Sequence, residues 1–472
     1  MVLHYVLSNK GVNQLSHNGY LYTHERKHLL KDYWKCVEFS SYKCGRAHTS
    51  GDDVVHESNN HNHERRTIEI AAKEVINDIK KLAETSTQAP QQILSLVTST
   101  MPIAVAPALP RVDFLTRTIQ RKRQKFDGGP STVTSLLDLR LDSTKILTSK
   151  GEDFLLFDSG PQEDRIVLFG SQKNIDLLIS SPHWYADGTF KTSPPLFAQV
   201  YTIHGIQFNN VIPAIYALLP SQSTDTYRRV LQAIKFSRPN VMPVSVMTDF
   251  ELAAVNAFKL EFPGIQTRGC FFHFMQAIYR QIKSNKNILA LYEDSNNIDN
   301  IVCLRQLGAL AFVPINDVTE CFSKLLDTDF FKTNKDVLLP LVEYFEDTWI
   351  GGTIGNGFTR RNPRFPIELW NCYESVLDDL PKTNNSVEGW HRAFNSLISC
   401  DHPSIQKFIN GIKKDHSLNE ARLEQYVAGT PRKRSYRREL EAIRFKSIVQ
   451  EYGTRNTLLY LKGVAYNLTF PQ

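Results

Sequence analysis

Three acidic residues stand where their carboxylates could share a divalent metal ion. Asp187 lies within the segment Tyr185–Phe190, whose other residues are apolar or small, and Asp249 follows the apolar run 241–247. A carboxylate in the middle of a buried strand is costly unless it is paired or bound to metal. Two carboxylates that share a site repel each other, and a divalent cation relieves that repulsion. Either aspartate alone would be interpreted as a turn cap or an ion-pair partner, whereas the pair favours a metal site. Glu388, farther along the chain, is the candidate for a third ligand.

A second set of candidate metal ligands lies near the N-terminus. Cys36 and Cys44 are eight residues apart, and His61 and His63 place two imidazoles on one short segment. Two thiolates and two imidazoles form a closed tetrahedral zinc site, the usual structural arrangement. The alternative is two buried thiols and two solvated histidines. Two further histidines are near enough in sequence to be ligands instead: His48 and His56.

The N-terminal ligands fall in a segment that predicts a small β-rich module. Residues 19–22 and 32–39 alternate large side chains with polar ones, as strands do. About sixty residues of such structure bury too little surface to fold comfortably alone, so a structural metal would supply the missing stability.

A linker with a basic helix is predicted after this module. Apolar residues recur at helical spacing over 68–83, and residues 85–110, with prolines at 102, 107 and 110, predict a hinge-like connection. The helix expected after Pro110 carries a cationic cluster that is a solvated face, a phosphate contact or a nuclear-import signal. Its candidate DNA contacts are Arg121, Lys122 and Arg123.

From residue 135 the pattern changes to strands alternating with helices. Asp187 and Asp249 fall on the first and fourth strands of a series that runs three strands, helix, strand, helix, the order of an RNase H-like core. Those two strands are neighbours in this topology, so both carboxylates would meet at one edge. The predicted strands are 184–191, 197–207, 211–219, 241–247 and 265–272, and helices are predicted up to 236, over 251–262 and over 273–283.

The third acid is expected on a helix that returns to this core after an insertion. Residues 284–383 are predicted to be a mainly helical insertion, and a well-marked helix follows with Asn385 or Ser386 as its cap. Glu388 falls in its first turn, where the helix dipole favours an anion. Helices are also predicted over 405–427 and 439–467. The basic segment between them is an exposed connection or a second DNA contact through Arg432, Lys433 and Arg434.

Composition limits the class of protein. The chain has 472 residues, 42% hydrophobic and 11% aromatic, which excludes a wholly disordered protein. Lys and Arg number 55 against 49 Asp and Glu, a net charge of +6 that suits a polyanionic partner without demanding one. Seven scattered cysteines, no secretory signal and no apolar run of membrane length lead us to expect an intracellular, soluble protein with reduced thiols.

The N-terminal segment resembles the FLYWCH zinc-finger family along most of its length. The resemblance rests on Tyr20 and Tyr22, on the run 33–36 and Cys44, and on the two histidines at 61 and 63. It implies a small β-rich finger that binds DNA or protein, with Cys36, Cys44, His61 and His63 holding a structural Zn²⁺.

Residues from about 135 to 470 resemble the Mutator-like element (MULE) transposases. The matching stretches are ADGTFK at 186–191, VMTDFELAA at 246–254, GCFFH at 269–273 and NNSVEGWH at 384–391. The resemblance implies an RNase H-like DDE catalytic core, an α/β (α+β) fold, with a helical insertion before the glutamate. Carried over residue by residue, Asp187, Asp249 and Glu388 are the triad, and Cys270, His273 and His391 are supporting positions.

The two resemblances together imply a nuclear DNA transposase. It would bind double-stranded DNA at element ends, cleave and transfer strands with two Mg²⁺ or Mn²⁺ ions, and could assemble as a homo-oligomer, with no membrane involved. Many members carry a cysteine-rich SWIM-type finger after the catalytic domain, whereas no cysteine follows Cys400 here. This departure fits a lineage that lacks the finger, a truncated element, or a copy retained by its host for regulation. The alternative function is a domesticated, catalytically inactive regulator that binds DNA.

The expected domains follow the same order along the chain. They are a finger at 1–66, a helical and basic linker at 67–134, the first part of the core at 135–283, the insertion at 284–383, the core-closing helix at 384–400 and a basic helical region at 401–472.

Overall fold

The structure, a computed structural model, divides into two compact units, residues 1–132 and 133–472. Each is described by itself. The described residues are 3–8, 11–58, 61–86, 88–126, 135–143, 146–208, 210–354, 359–429 and 436–471.

The first unit begins with a six-stranded antiparallel meander. Its strands pair in chain order around a small core that contains Leu15, Tyr22, Trp34 and Ala47. The strands are β1 (His4–Leu7), β2 (Asn13–His17), β3 (Tyr20–His28), β4 (Lys31–Cys36), β5 (Arg46–Ser50) and β6 (Asp53–Glu57), with the short helix α1 (Phe39–Tyr42) between β4 and β5. The strand expected to reach residue 39 ends at Cys36 because the chain turns into α1 there.

Three helices complete this unit, and they correct the expected hinge at 85–110. They are α2 (Thr67–Thr85), α3 (Pro90–Thr100) and α4 (Val112–Phe126), with a 3-10 turn at Ile103–Ala108. Pro90 starts α3 instead of breaking it, since a proline fits the first helical position, and the Gln92 side chain accepts from the Ala89 N–H at 3.0 Å. Ile93 and Val97 are buried against α2, so apolar packing fixes the segment.

The second unit is built on a seven-stranded mixed sheet. Across it the strands lie in the order β13-β12-β9-β10-β11-β8-β7, in which β9, β12 and β13 are parallel to each other. Their bounds are β7 (Leu155–Asp158), β8 (Val167–Phe169), β9 (His183–Thr189), β10 (Gln199–Gln207), β11 (Asn210–Leu219), β12 (Ser245–Thr248) and β13 (Gln266–Gly269). A separate short pair is formed by β14 (Thr353–Ile354) and β15 (Thr359–Arg360).

Helices cover both faces of this sheet. One face packs on α5 (Gln172–Ser180), α6 (Thr224–Ser237) and α7 (Leu252–Glu261). The other packs on α16 (Asn385–Ile398) and α17 (Ile405–Val427), through Trp390, Phe394 and Phe408 among others. The result is a mixed α+β architecture.

A helical subdomain packs beside the sheet around a core that includes Phe274, Phe345, Trp349 and Trp370. The last two helices of the chain share this core. The helices are α8 (Phe271–Ser284), α9 (Lys286–Glu293), α10 (Asp299–Ala309), α11 (Val318–Leu326), α12 (Asp329–Thr333), α13 (Lys335–Phe345), α14 (Ile367–Trp370), α15 (Tyr373–Leu377), α18 (Tyr436–Gln450) and α19 (Thr457–Ala465).

Three predicted elements have different bounds in the structure. The strand expected at 241–247 begins at Ser245, after Pro243, which has no N–H to donate to a neighbouring strand. The strand expected at 265–272 ends at Gly269, and α8 begins at Phe271 because the Phe271 and Phe274 rings are buried in the helical core. The single helix expected over 439–467 is two helices, separated at Gly453, whose φ is +82°.

One buried carboxylate ties α16 and α17 to the sheet. Asp415 in α17 accepts hydrogen bonds from the Tyr216 hydroxyl (2.7 Å), the Trp390 indole N–H (2.9 Å) and the Asn419 amide (3.0 Å). Burial raises the pKa of Asp415, and the three donors oppose that rise. This network fixes the helix that carries Glu388.

A second carboxylate joins α6 to the end of α7. Glu261 accepts from Arg228 Nε at 3.0 Å and from the Gln232 amide at 2.8 Å, and Lys235 Nζ lies 3.5 Å away. Burial opposes ionisation of Glu261, but these partners outweigh it and lower its pKa.

Candidate metal centres

The parallel pairing of β9 and β12 brings two of the predicted acids to one edge of the sheet. Tyr185 pairs with Met247 in this ladder, so Asp249, directly after β12, falls level with Asp187 near the end of β9. The Asp187 carboxylate accepts from the Gly188 N–H at 2.8 Å. The expected neighbourhood of the first and fourth strands is therefore present.

The helix α16 has a different N-cap residue from the one expected, and that residue contacts the acidic edge. The N-cap is Asn384, not Asn385 or Ser386, and its side chain makes no hydrogen bond to its own helix. Instead the Asn384 amide donates to Asp249 Oδ1 at 2.9 Å and accepts from the Cys270 thiol at 3.0 Å. Contacts with α8 and the end of β12 thus replace capping.

His273 lies between two of the three acids. Its Nδ1 is 2.8 Å from Asp249 Oδ1, and its Nε2 is 3.7 Å from Glu388 Oε1. Burial works against its charged form, but Asp249 and the Cys270 thiol outweigh burial and raise the pKa of His273 to about 10. An imidazolium here partly neutralises the acids on either side.

The pKa of the third acid, Asp187, depends on the charges of the other two. Burial, followed by the charge of Asp249 and then that of Glu388, raises the pKa of Asp187 to about 8, while the Gly188 N–H and His273 act in the opposite direction. Mg²⁺ and Mn²⁺ bind hard oxygen ligands such as carboxylates. A bound cation would also relieve the repulsion between the carboxylates at this partly buried edge. The residues present therefore fit such ions.

The supporting positions lie around this edge. Ligand atoms of Asp249, Cys270 and His273 lie within 4.8 Å of one another, and Asp187 and Glu388 lie outside that tight group. His391, one turn after Glu388, places Nδ1 3.5 Å from Asp187 Oδ2, and burial lowers its pKa to about 4.

Two residues around this edge were not predicted as contributors. The contacts of Asn384 depend on chain segments far apart in sequence, so only its place before the helix could have signalled it. Gly188 is the second of these residues. A Cβ there would lie 2.3 Å from Oε1 of the fully buried Gln199, so a larger residue would not fit. Its place directly after an acid in a strand was a weak signal.

The four predicted zinc ligands also come together. His63 Nε2 lies 3.4 Å from Cys36 Sγ and 3.2 Å from His61 Nδ1. With Cys44, all four ligand atoms lie within 4.8 Å of one another, and both cysteines are buried. The other two histidines pack on each other, with ring centroids 4.9 Å apart, and are not part of this cluster: His48 and His56.

The surroundings of this cluster fit a zinc ion. His63 Nδ1 lies 2.9 Å from the carbonyl oxygen of Glu64 and His61 Nε2 lies 2.8 Å from the Tyr22 hydroxyl, so each imidazole turns its other nitrogen inward. Such outer partners orient zinc-binding histidines. Gly45 leaves room for the His61 ring, since a Cβ there would lie 2.3 Å from it.

The candidate DNA contacts on α4 have different environments. Arg121 is exposed, whereas Lys122 pairs with Glu84 at 2.6 Å. Arg123 donates to the carbonyl oxygens of Ala83 and Ser86 at the end of α2, which is a helix-capping role. The second basic set, Arg432, Lys433 and Arg434, lies outside the described residues.

Comparison with known families finds a match in one segment of each unit. Residues 183–277 match the MULE transposase domain, and residues 5–63 match the FLYWCH zinc finger domain. The chain thus combines a transposase-type domain with an N-terminal FLYWCH finger. No curated protein matches it.

Among solved structures, the Drosophila P element transposase strand transfer complex aligns with 83% of this chain and 90% of its own. The identity is 12% and the TM-score 0.23, too low to carry an argument. In the described part of the chain, no helix has the length and apolar character to cross a bilayer.

Proposed function

We propose that this protein is a DNA transposase of the MULE type, with an RNase H-like core and a DDE triad of Asp187, Asp249 and Glu388. The strand order supports the core, since the three-strand meander is followed by two parallel strands on the side of β9. The observation that carries the proposal is the position of His273 between two of the acids, with Nδ1 2.8 Å from Asp249 and Nε2 3.7 Å from Glu388.

Glu388 lies outside the matched MULE segment, which ends at residue 277. Its assignment to the triad therefore rests on its position in the structure. Its helix is fixed to the sheet by Asp415, and its carboxylate contributes to the raised pKa of Asp187. A first-turn glutamate without this setting would only stabilise its own helix.

The three carboxylates would hold two Mg²⁺ or Mn²⁺ ions. When bound, such ions activate a water or a DNA 3′-hydroxyl and stabilise charge on the leaving oxygen. Asn384 and His273 would orient Asp249, both at its Oδ1 atom, and the Gly188 N–H would orient Asp187.

Sequence recognition would come from the finger, since the phosphodiester chemistry at the acidic edge does not depend on base sequence. With Zn²⁺ on Cys36, Cys44, His61 and His63, the finger would bind element ends of double-stranded DNA, and cationic side chains would hold phosphates. A protein that acts on element ends of this kind would be located in the nucleus. Assembly into a homo-oligomer stays a prediction.

The test is Mg²⁺-dependent cleavage of a duplex that carries the element's terminal repeats. We expect the parent protein and Asp225→Asn, an exposed control on α6, to cut, and Asp249→Asn to be inactive while still folded and DNA-bound. Equal cutting by Asp249→Asn would refute the triad. Binding of the repeats without any cutting by the parent would instead favour a domesticated DNA-binding regulator.

A further inference from the structure

The hairpin of β3 and β4 ends in two leucines that no described residue of the first unit covers. His28 pairs with Lys31, so Leu29 and Leu30 form a two-residue turn. Their exposed fractions are 83% and 81%, the highest among the large apolar residues of this β-meander. We call Leu29 and Leu30 the hairpin tip.

Neither the backbone nor the core explains these residue types. Leu29 has φ +53°, in the left-handed region, where two-residue hairpin turns favour Gly or Asn. A leucine there is strained and gains nothing from burial. Unfavourable local conformation combined with an exposed apolar pair indicates a surface that acts on a partner.

Cations surround the hairpin tip on both strands. Arg26 lies with its guanidinium 4.7 Å from the centre of the Tyr33 ring, and Lys27 Nζ is 3.9 Å from Asp32. The two residues that close the turn are basic as well, and both are exposed: His28 and Lys31. Two exposed apolar residues flanked by basic residues fit a polyanionic partner that also has an apolar interior into which the leucines can insert.

Duplex DNA has both properties. Its phosphates attract the flanking cations, and its base steps accept apolar side chains that enter from the minor groove and partly unstack them. A protein partner with an apolar pocket would use the leucines but would give no reason for the repeated positive charge.

We propose that the hairpin tip inserts into the minor groove of duplex DNA as an apolar wedge, while the flanking cations hold the adjacent phosphates. The inference rests on the proposed function only in taking DNA as the partner. It adds a distorting contact made by residues other than the zinc ligands and the three acids.

The experiment uses the full zinc-loaded chain and a mixed-sequence duplex with 2-aminopurine at several TA steps, which unstack most readily. Unstacking raises 2-aminopurine fluorescence, and titration gives the affinity. The test variant is Leu29→Gly with Leu30→Ser, which relieves the positive φ of residue 29 and so should fold. Val12→Ser, an exposed apolar residue before β2, is the matched control.

We expect a fluorescence increase with the parent protein and with Val12→Ser. The leucine variant should lose that increase and bind about tenfold more weakly, with the salt dependence of binding kept because phosphate contacts remain. Lys27→Gln with Lys31→Gln should instead reduce the salt slope by about 2.

Three results would overturn the wedge. Equal fluorescence changes for the parent and the leucine variant would show binding without insertion, and the DNA-binding part of the proposed function would stand. Loss of self-association by the leucine variant, with unchanged DNA binding, would make the hairpin tip an interface between copies. No binding of any duplex by the parent would refute DNA binding itself.

Discussion

Replacing Gly45 with alanine should weaken the zinc site without touching a ligand. A Cβ at this position would lie 2.3 Å from both Cε1 and Nε2 of His61, where contacts between carbon atoms need about 3.5 Å. The ring must therefore move by roughly 1 Å. It cannot simply retreat, because Tyr20 stacks on it with ring centroids 3.7 Å apart.

The expected loss of zinc affinity follows from the role of the His61 ring as a zinc ligand. Disturbing the groups that orient a ligand costs about 10–100-fold in metal affinity, which is about 1.4–2.8 kcal/mol. Because metal binding and folding are coupled in small zinc modules, the same loss lowers stability. For a unit of this size we expect the zinc-bound melting temperature to fall by about 4 °C or more.

Gly51→Ala is the matched control. Gly51 lies in the turn between β5 and β6 and has φ +58°, but nothing lies within 4 Å of a Cβ built there. It carries the cost of a left-handed alanine, about 1 kcal/mol, without moving a ligand. Zinc affinity should be measured for both variants by competition with a chelating dye, and melting should be followed with and without zinc.

The expected result is weaker zinc binding for Gly45→Ala and unchanged zinc binding for Gly51→Ala. Equal zinc affinity in Gly45→Ala and the parent would refute the assignment of His61 as a ligand held in this position. Equal losses in both variants would attribute the effect to backbone strain instead.

Three further predictions concern the second unit. Asp415→Ala leaves three buried donors without their acceptor, so urea unfolding should show a loss of about 3 kcal/mol or more, and a loss under 1 kcal/mol would contradict the anchoring role. Glu261→Gln should cost about 1 kcal/mol at neutral pH. Since the folded pKa of Glu261 is lowered, its contribution is present above the unfolded pKa and should disappear as pH falls through the folded value; a difference that persists in acid would be the contrary result. Asn384→Ala should slow cleavage about 10–100-fold with the fold retained, by loss of the hydrogen bond to Asp249, and unchanged cleavage would show that this bond is dispensable.

The sequence predicted the elements whose side-chain pattern is local. The helix expected at 405–427 has the observed bounds. The pairing of β9 with β12 followed from the order of strands and helices, which few topologies satisfy.

What escaped prediction depends on contacts between distant segments. The apolar residues of α3 gain their burial from α2, which a proline-rich stretch does not reveal. Asn384 lies where a helix cap belongs, but its amide is held by a thiol and a carboxylate more than a hundred residues away. The role of His273 between two acids needed the fold as well.

The most direct test of the central claim is anomalous diffraction from crystals of the protein soaked in Mn²⁺. The account predicts two manganese peaks bounded by the carboxylates of Asp187, Asp249 and Glu388, and loss of at least one peak in Asp249→Asn. Saturating Mn²⁺ that leaves these carboxylates without a peak, or that binds only elsewhere on the chain, would contradict it.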